Sequence, residues 1–310
     1  MLRKICITGA NGFIGQSLCK SLSQLDSSVL AVVRDKNYFL NLKNVKYQEV
    51  KNYNEEDIWK NLLKNYDCVV HCAGKSSLSN NLKNYDKYNS ENFINIEYLA
   101  EQAAEAGVKK IIFLSSIKVY GESTHINHNS IPNPNNLYGI SKLDSDKELK
   151  KISSKTGLEV VVVRLPLVYG TAVKGNIAKL IKVIKLGIPL PFSAIDNKRS
   201  MIGIDNLINF LILCIDHPIA AGKTFLVSDG EDLSTPDLIN YIASIMKRKI
   251  YMFPVPFILL KFIFFTVSKQ KEIKKLAKSL RVDISYTKKI LNWTPSISIE
   301  EGIKRMIQGK

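Results

Sequence analysis

The chain has 310 residues, of which 45% are hydrophobic, and its mean hydropathy is near zero. This composition fits a soluble globular protein with a substantial core, in one large domain or two intimate ones. The net charge of +16 is diffuse, without a basic patch that carries interleaved aromatic residues, so we expect no nucleic-acid partner. Five scattered cysteines without a CxxC pair argue against a disulfide or metal framework and predict reduced thiols. No signal-peptide pattern precedes the first apolar run, and we therefore expect a cytoplasmic protein.

Apolar runs alternate with amphipathic stretches along most of the chain. The runs predicted as strands are Lys4–Thr8, Val29–Val33, Val45–Val50, Cys68–His71, Ile111–Ser115, Val160–Leu165 and Thr224–Val227. The stretches between them predict helices such as Ile14–Leu25, Phe93–Ala106 and Leu143–Thr156. Apolar strands that alternate with helices predict an α/β protein with a Rossmann-type, doubly wound parallel sheet of seven strands. Its ligand crevice should lie beyond the carboxyl ends of the strands.

The alternation changes after Leu165. Residues 166–200 contain one helical pattern and two proline turns, and the chain from 230 to the end is predicted to be mostly helical. We therefore predict a dinucleotide-binding domain of residues 1–165 plus about 201–229. A smaller substrate-binding lobe would comprise about 166–200 plus 230–310.

An apolar segment, residues 255–267, is followed by several lysines up to residue 278. It is too short for a membrane-spanning helix and contains Lys261. A buried helix of the small lobe is the favoured interpretation, and weak peripheral contact of 255–278 with a membrane is the alternative.

A glycine-rich turn follows the first predicted strand and opens the first predicted helix. Gly9 would permit the tight turn, Gly12 the approach of a pyrophosphate, and Gly15 the packing of helix on strand. The free N–H groups of the helix would then bind phosphate. The residues predicted to bind the cofactor here are Gly9, Asn11, Gly12, Phe13, Ile14 and Gly15.

Two further strand ends are predicted to contact the cofactor. Arg34 follows the second strand, where an acidic residue would bind the 2′-hydroxyl of NAD, and an arginine accommodates the 2′-phosphate of NADP. The cofactor is therefore predicted as NAD or NADP, with Arg34 favouring NADP and the adjacent Asp35 opposing it. The fourth strand is followed by three small residues, Cys72, Ala73 and Gly74. Their side chains leave room for the dinucleotide to lie beside the backbone.

Three residues are predicted to transfer a proton. Tyr138 and Lys142 are spaced i, i+4 and face one side of a helix, while Ser116 ends a central strand. A free tyrosine ionises near pH ~10, and an ammonium at about 6 Å would lower that pKa by roughly two units at an effective dielectric constant of about 20. Tyr138 would then exchange a proton with a substrate hydroxyl, Ser116 would hold the same oxygen, and Lys142 would also bind the cofactor ribose.

These residues make the chain resemble an extended short-chain dehydrogenase/reductase of the nucleotide-sugar epimerase/dehydratase family. The similarity spans nearly the whole chain. The matching stretches are T-G-A-N-G-F-I-G (8–15), H-C-A-G (71–74), S-S-I-K-V-Y-G (115–121), Y-G-I-S-K (138–142), R-L-P-L-V-Y-G (164–170), R-S-M-I-G-I-D (199–205) and L-N-W-T-P (291–295).

The resemblance implies a sugar-nucleotide substrate bound between the sheet and the small lobe. Arg199 and Asn176 would contact the diphosphate, and Arg281 and Lys118 are further substrate-binding candidates. The 4,6-dehydratases of the family carry an Asp-Glu pair where this chain has Ile117 and Lys118, which argues against dehydration. A homodimer that pairs the helix at 93–106 with the helix carrying Tyr138 is also implied. No metal site is expected, since His125 and His128 have too few further ligands nearby.

The main functional hypothesis is a UDP-sugar C4 oxidoreductase. One bacterial subgroup of this family has similar sequence stretches around Ser116 and Arg199. It includes UDP-4-keto-sugar reductases, which make or oxidise UDP-N-acetylquinovosamine in O-antigen synthesis. Arg34 favours such a reductase, and the alternative is a UDP-glucose or UDP-GlcNAc 4-epimerase with tightly held NAD. A hydroxysteroid-type dehydrogenase of the same fold and a non-catalytic dinucleotide sensor are more distant alternatives. Arg199 opposes the first of these and the intact Tyr138–Lys142 pair opposes the second.

Overall fold

The computed structural model describes residues 3–25, 27–35, 40–55, 57–74, 95–173, 175–256, 258–260 and 277–309. The strands are β1 Arg3–Thr8, β2 Ser27–Val33, β3 Val45–Glu49, β4 Cys68–His71, β5 Lys110–Ser116, β6 His125–Ile126, β7 Glu159–Leu165, β8 Leu167–Tyr169, β9 Arg199–Gly203, β10 Thr224–Leu226, β11 Asp232–Leu233 and β12 Arg281–Val282. The helices are α1 Phe13–Ser23, α2 Ile58–Leu62, α3 Asn95–Glu105, α4 Leu137–Thr156, α5 Asn176–Lys185, α6 Ile204–Asp216, α7 Thr235–Ile245, α8 Ser285–Leu291 and α9 Ile299–Gln308. Two 3-10 turns, Ile117–Tyr120 and Pro218–Ala220, complete the described elements.

Seven strands form one parallel sheet in the order β10-β7-β5-β4-β1-β2-β3. Each of the seven strands predicted from the sequence belongs to this sheet, and the predicted Rossmann-type fold is confirmed. The strand order reverses between β1 and β4, where Ile5 pairs with Cys68 and Thr8 with His71. A crevice forms at such a reversal, outside the carboxyl ends of the strands.

The sheet is covered on both faces because its strands send apolar side chains in both directions. In β1, Ile5 and Ile7 pack in one hydrophobic cluster with α1 and α6, whereas Cys6 packs in another with α2, α3 and α4. This division explains why the strands are nearly continuous apolar runs rather than alternating patterns.

Two small sheets lie outside the main one. Strands β11, β9 and β8 form a three-stranded sheet, and β12 pairs in parallel with β6. A third hydrophobic cluster, built largely from α5, α7 and α9, packs beside the three-stranded sheet. The sequence predicts a mostly helical C-terminal lobe and does not predict these strands. Strands of two to five residues are too short to produce a periodic pattern.

Some boundaries differ from those predicted. Helix α4 begins at Leu137, six residues before the predicted start at Leu143, and so includes Tyr138. The predicted helix at 93–106 is described from Asn95 onwards. Most of the segment 255–278 lies outside the described residues. Within the described part of the chain, no helix has the length and apolar character needed to cross a bilayer. The domain division and the homodimer remain predictions.

Candidate active site

The glycine turn between β1 and α1 is shaped by close backbone contacts. Gly9 has φ +65°, and a Cβ there would lie 2.7 Å from backbone atoms of Ala73. A Cβ on Gly15 would lie 2.3 Å from the Gly9 carbonyl oxygen. Both positions therefore require glycine, for a left-handed backbone and for close packing of the helix on the turn.

Gly12 plays a different part in the same turn. It is exposed, caps α1 with no side-chain hydrogen bond, and has an ordinary φ of −80°. The backbone N–H of Gly12 donates to the Gly9 carbonyl at 2.9 Å. The first turn of α1 thus presents backbone N–H groups and no capping side chain to the crevice. This arrangement is suited to an anion such as a pyrophosphate.

The remaining predicted cofactor residues of the turn are anchored to it. The Asn11 carbonyl accepts a 3.1 Å hydrogen bond from Gln16 Nε2, and Ile14 packs against the main core. A Cβ on Gly170 would lie 3.4 Å from the Phe13 ring, so this ring lies beside the residue that follows β8. The end of β4 lies against the glycine turn, since Ala73 contacts Gly9 and Gly74 is exposed.

Lys142 lies between the end of β4 and the central strand β5. Its side chain is buried, and Nζ donates to the Leu114 carbonyl at 2.9 Å and lies 4.5 Å from the centroid of the Phe113 ring. Burial lowers the pKa of Lys142 to about 8, while Asp146 and Cys72 act in the opposite direction. Lys142 is therefore within electrostatic reach of the end of β4, one residue before Ala73.

Ser116 is the last residue of β5 and the cap of the 3-10 turn that follows. It is 7% exposed, and its Oγ accepts a 3.2 Å hydrogen bond from the backbone N–H of Lys118. This bond fixes the hydroxyl at the carboxyl end of the sheet, two residues after the carbonyl that Lys142 contacts.

The start of α4 is pressed against the same turn. A Cβ on Gly139 would lie 2.5 Å from the Lys118 carbonyl oxygen, and the Asn136 side chain caps the helix by accepting from the Gly139 N–H at 2.9 Å. Tyr138 lies between these two residues and is half-buried. The backbones that carry Ser116, Tyr138 and Lys142 are thereby brought to one end of the sheet. Asn136 and Gly139 were missed in the sequence, although an Asn before a helix is a cap signal.

A buried charged network lies behind Lys142, and the sequence does not predict it. Asp146, one helical turn along α4, accepts from Arg164 Nε at 3.1 Å and Nη2 at 2.9 Å. Arg164 Nη1 donates to the Tyr120 hydroxyl at 2.6 Å. Burial raises the pKa of Asp146, and the Arg164 guanidinium opposes this change. The sequence clue to this network is Asp146 itself, an acidic residue four positions after Lys142 and therefore on the same side of α4.

His71 holds two strand ends together. Its Nδ1 and the Thr8 hydroxyl are 2.9 Å apart, across the β1–β4 pair. Burial lowers the pKa of His71 to about 3, with the charges of Lys142 and Arg34 adding to the effect. The imidazole is therefore neutral at physiological pH and serves as a hydrogen-bonding group rather than an acid or base.

Arg34, on which the NADP preference was based, has an aromatic neighbour. Its guanidinium carbon lies 5.8 Å from the centroid of the Tyr53 ring. Tyr53 is buried beside the glycine turn, where hydrogen bonds with Thr8 and Gly9 oppose the rise in its pKa that burial causes. A cation–π contact gives Arg34 a role that does not require a 2′-phosphate.

The predicted substrate residues occupy separate positions. Arg199 begins β9, is partly buried and donates to the Lys278 carbonyl at 3.5 Å, and burial lowers the pKa of its guanidinium. Arg281 Nε donates to Asp232 at 2.8 Å, so the charge of this arginine is already balanced. Asn176 is the exposed first residue of α5, and Lys118 is exposed in the turn after Ser116.

Metal-binding side chains are not grouped in the described part of the chain. No set of three or more His, Cys, Asp or Glu residues that could hold an ion is found there. His128 stacks on Tyr286 with ring centroids 3.4 Å apart, and all five cysteines are free.

Comparison with known proteins connects this geometry to a family. The model of the NAD dependent epimerase/dehydratase family matches residues 5–228. The chain belongs to this family. It is also 37% identical over 323 aligned positions to a UDP-glucose 4-epimerase of Vibrio cholerae, with 99% of this chain and 95% of the relative covered.

Solved structures of low sequence identity have the same fold. A UDP-glucose 4-epimerase of Thermotoga maritima, solved with UDP-glucose, superimposes with a TM-score of 0.81 at 22% identity, covering 99% of this chain and 98% of that one. A UDP-N-acetylglucosamine 4-epimerase of Bacillus cereus gives a TM-score of 0.81 at 21% identity, with the same coverage. The resemblance inferred from the sequence is confirmed, and so is the prediction of a sugar-nucleotide enzyme that uses a nicotinamide cofactor. The matching family is NAD-dependent, which does not support the NADP preference inferred from Arg34.

Proposed function

We propose that this family member is a UDP-sugar 4-epimerase that keeps its NAD throughout turnover. The observation that carries the proposal is the 37% identity to a UDP-glucose 4-epimerase along 99% of the chain. In the sequence, Arg34 favours a 4-keto reductase. Its contact with Tyr53 weakens that argument, and the 4-epimerase alternative becomes the main hypothesis.

The residues of the crevice suit a dinucleotide. Gly12 and the first turn of α1 would bind the pyrophosphate, while Cys72, Ala73 and Gly74 would line its path and Lys142 would bind the ribose. Bound NAD would supply a hydride acceptor and donor for the sugar C4. In an epimerase the same cofactor is used in both half-reactions, so exchange with free cofactor is unnecessary.

Side chains of the protein would transfer the proton. Tyr138 would accept the proton of the C4 hydroxyl during oxidation and return a proton to the C4 oxygen during reduction. Lys142, positively charged below its pKa of about 8, would stabilise the tyrosinate. Ser116 Oγ would hold the same oxygen, with Arg199 and Asn176 binding the diphosphate.

Dehydration is disfavoured by the residues after Ser116. A base and an acid are needed there to remove water across C5 and C6. Ile117 is apolar and 4% exposed, and Lys118 is a cation, so neither supplies that chemistry. Proton transfer at C4 is the chemistry that the remaining groups support.

The test uses purified protein without added cofactor. We expect UDP-glucose or UDP-GlcNAc to be converted to its galacto epimer, with Tyr138→Phe inactive and still carrying bound nucleotide. Turnover only of a UDP-4-keto sugar, and only with added NADH or NADPH, would establish the reductase and reject the epimerase.

A further inference from the structure

Two neighbouring loops expose apolar side chains beyond the proposed active site. We call residues 185–189 and 247–251 the basic–apolar face. Leu186 is 64% exposed, Ile188 46% and Tyr251 70%. These values are high for large hydrophobic residues close to a packed core. Such exposed apolar residues commonly mark an interaction surface when they are contiguous.

Backbone hydrogen bonds hold the two loops side by side. Leu190 N–H donates to the Tyr251 carbonyl at 3.0 Å, and Phe253 N–H donates to the Leu190 carbonyl at 3.1 Å. Leu190 and Met252 form a bridge and pack into the third hydrophobic cluster. Because side chains alternate along extended backbone, Tyr251 and Phe253 point away from that cluster, and their rings stack with centroids 6.1 Å apart.

The charge around this face has one sign. Residues 175–195 and 238–254 contain six basic residues and no acidic residue, and the nearest carboxylates along the chain are those of Asp196 and Asp237. Lys185, Lys247, Arg248 and Lys249 are all exposed on the face itself. Elsewhere some lysines pair with carboxylates, as in Lys60–Glu105 at 3.0 Å and Lys304–Glu301 at 3.1 Å. The face is thus distinct from the diffuse charge of the rest of the surface.

We propose that the basic–apolar face docks the protein on the surface of an anionic lipid bilayer. Leu186 and Ile188 would enter the acyl boundary, and Tyr251 would sit at headgroup depth, where aromatic residues with a polar end accumulate. The basic residues would contact anionic headgroups. A nucleic acid would satisfy the charges but would leave Leu186 and Ile188 against phosphate and water. All residues of the basic–apolar face precede segment 255–278 in the chain.

The test measures binding of the full chain to sedimented vesicles of phosphatidylcholine with and without phosphatidylglycerol. Wild type should bind only the anionic vesicles. Reversing three charges in K247E/R248E/K249E should lower the partition coefficient by at least about a hundredfold. The control K147E/K150E/K155E makes the same charge change at exposed positions of α4 and should bind like wild type.

Apolar insertion is tested separately. The variant L186S/I188S/Y251S should lose the part of vesicle binding that survives at about 1 M salt, where the screening length is only about 3 Å. In Tyr251→Trp, indole emission should shift to the blue when anionic vesicles are added, whereas the native Trp59 and Trp293 are buried already.

Three results would overturn the proposal. One is an equal loss of binding in the α4 control, which would mean that diffuse charge acts alone. A second is wild-type binding that phosphatidylglycerol does not increase. The third is absence of vesicle binding together with a changed oligomeric state in L186S/I188S/Y251S, which would assign the face to contact with a second copy of the chain. Epimerase activity is not needed for any of these measurements.

Discussion

Lys142 combines a positive charge with almost no contact with water, being 4% exposed. Its ammonium is retained at neutral pH because the Leu114 carbonyl, the face of Phe113 and the charge of Asp146 replace part of its hydration. Since burial lowers its pKa to about 8, the ammonium form is lost as the pH rises through that value. In an ordinary exposed lysine this loss occurs about two units higher.

A pH dependence follows for catalysis. If the ammonium assists Tyr138, kcat/KM should decline above about pH 8, approaching tenfold per pH unit. In Asp146→Asn the charge that raises the pKa of Lys142 is gone, so the decline should begin at a lower pH. Initial rates between pH 6 and pH 10 at roughly constant ionic strength measure both profiles. A wild-type profile that stays level to pH 10 would contradict this role for Lys142.

At the scale of elements, the glycine turn separates a folding requirement from a binding requirement. Gly15→Ala places a Cβ 2.3 Å from the Gly9 oxygen, whereas Gly12→Ala places one at 3.1 Å from the same atom and at an ordinary φ. We predict that Gly15→Ala lowers the free energy of unfolding by about 2–3 kcal/mol.

Gly12→Ala should instead stay within about 1 kcal/mol of wild type and lose bound NAD, because the new methyl group projects at the N-terminus of α1. Urea unfolding and the amount of copurified nucleotide distinguish the two effects. Normal NAD content in a stably folded Gly12→Ala protein would argue against a pyrophosphate at this turn.

The Asp146–Arg164 pair joins α4 to β7, and the Tyr120 hydroxyl extends it to the turn after Ser116. Arg164→Met would leave the Asp146 carboxylate buried without its cation. We expect a loss of about 3–5 kcal/mol in the free energy of unfolding. The double variant D146L/R164M removes both charges and should be more stable than Arg164→Met alone. Equal stability of the single and double variants in urea would mean that the unpaired Asp146 carboxylate carries no penalty, which would contradict this explanation.

At the scale of the whole molecule, the sequence was sufficient for features with a local or periodic signal. The seven strands, the turn at Gly9 and the i, i+4 spacing of Tyr138 and Lys142 all belong to this class. Asp146 and its partner Arg164 are 18 residues apart, and Arg34 and Tyr53 are 19 residues apart. No periodic pattern in the sequence connects the two members of either pair. The short strands β6 and β12, separated by more than 150 residues, were unpredictable for the same reason.

The choice between a 4-keto reductase and a 4-epimerase also depends on the whole chain. Ser116, Tyr138 and Lys142 would serve a reductase as well as an epimerase, and only the fate of the hydride separates them. Similarity along 99% of the chain to a 4-epimerase favours a hydride that is removed and returned within one binding event.

The most direct measurement uses UDP-glucose that carries deuterium at C4, incubated with the purified protein and no added cofactor. We expect UDP-galactose that retains the deuterium at C4, with Tyr138→Phe producing none. UDP-galactose in which the label has been lost, or product formed equally well by Tyr138→Phe, would contradict it.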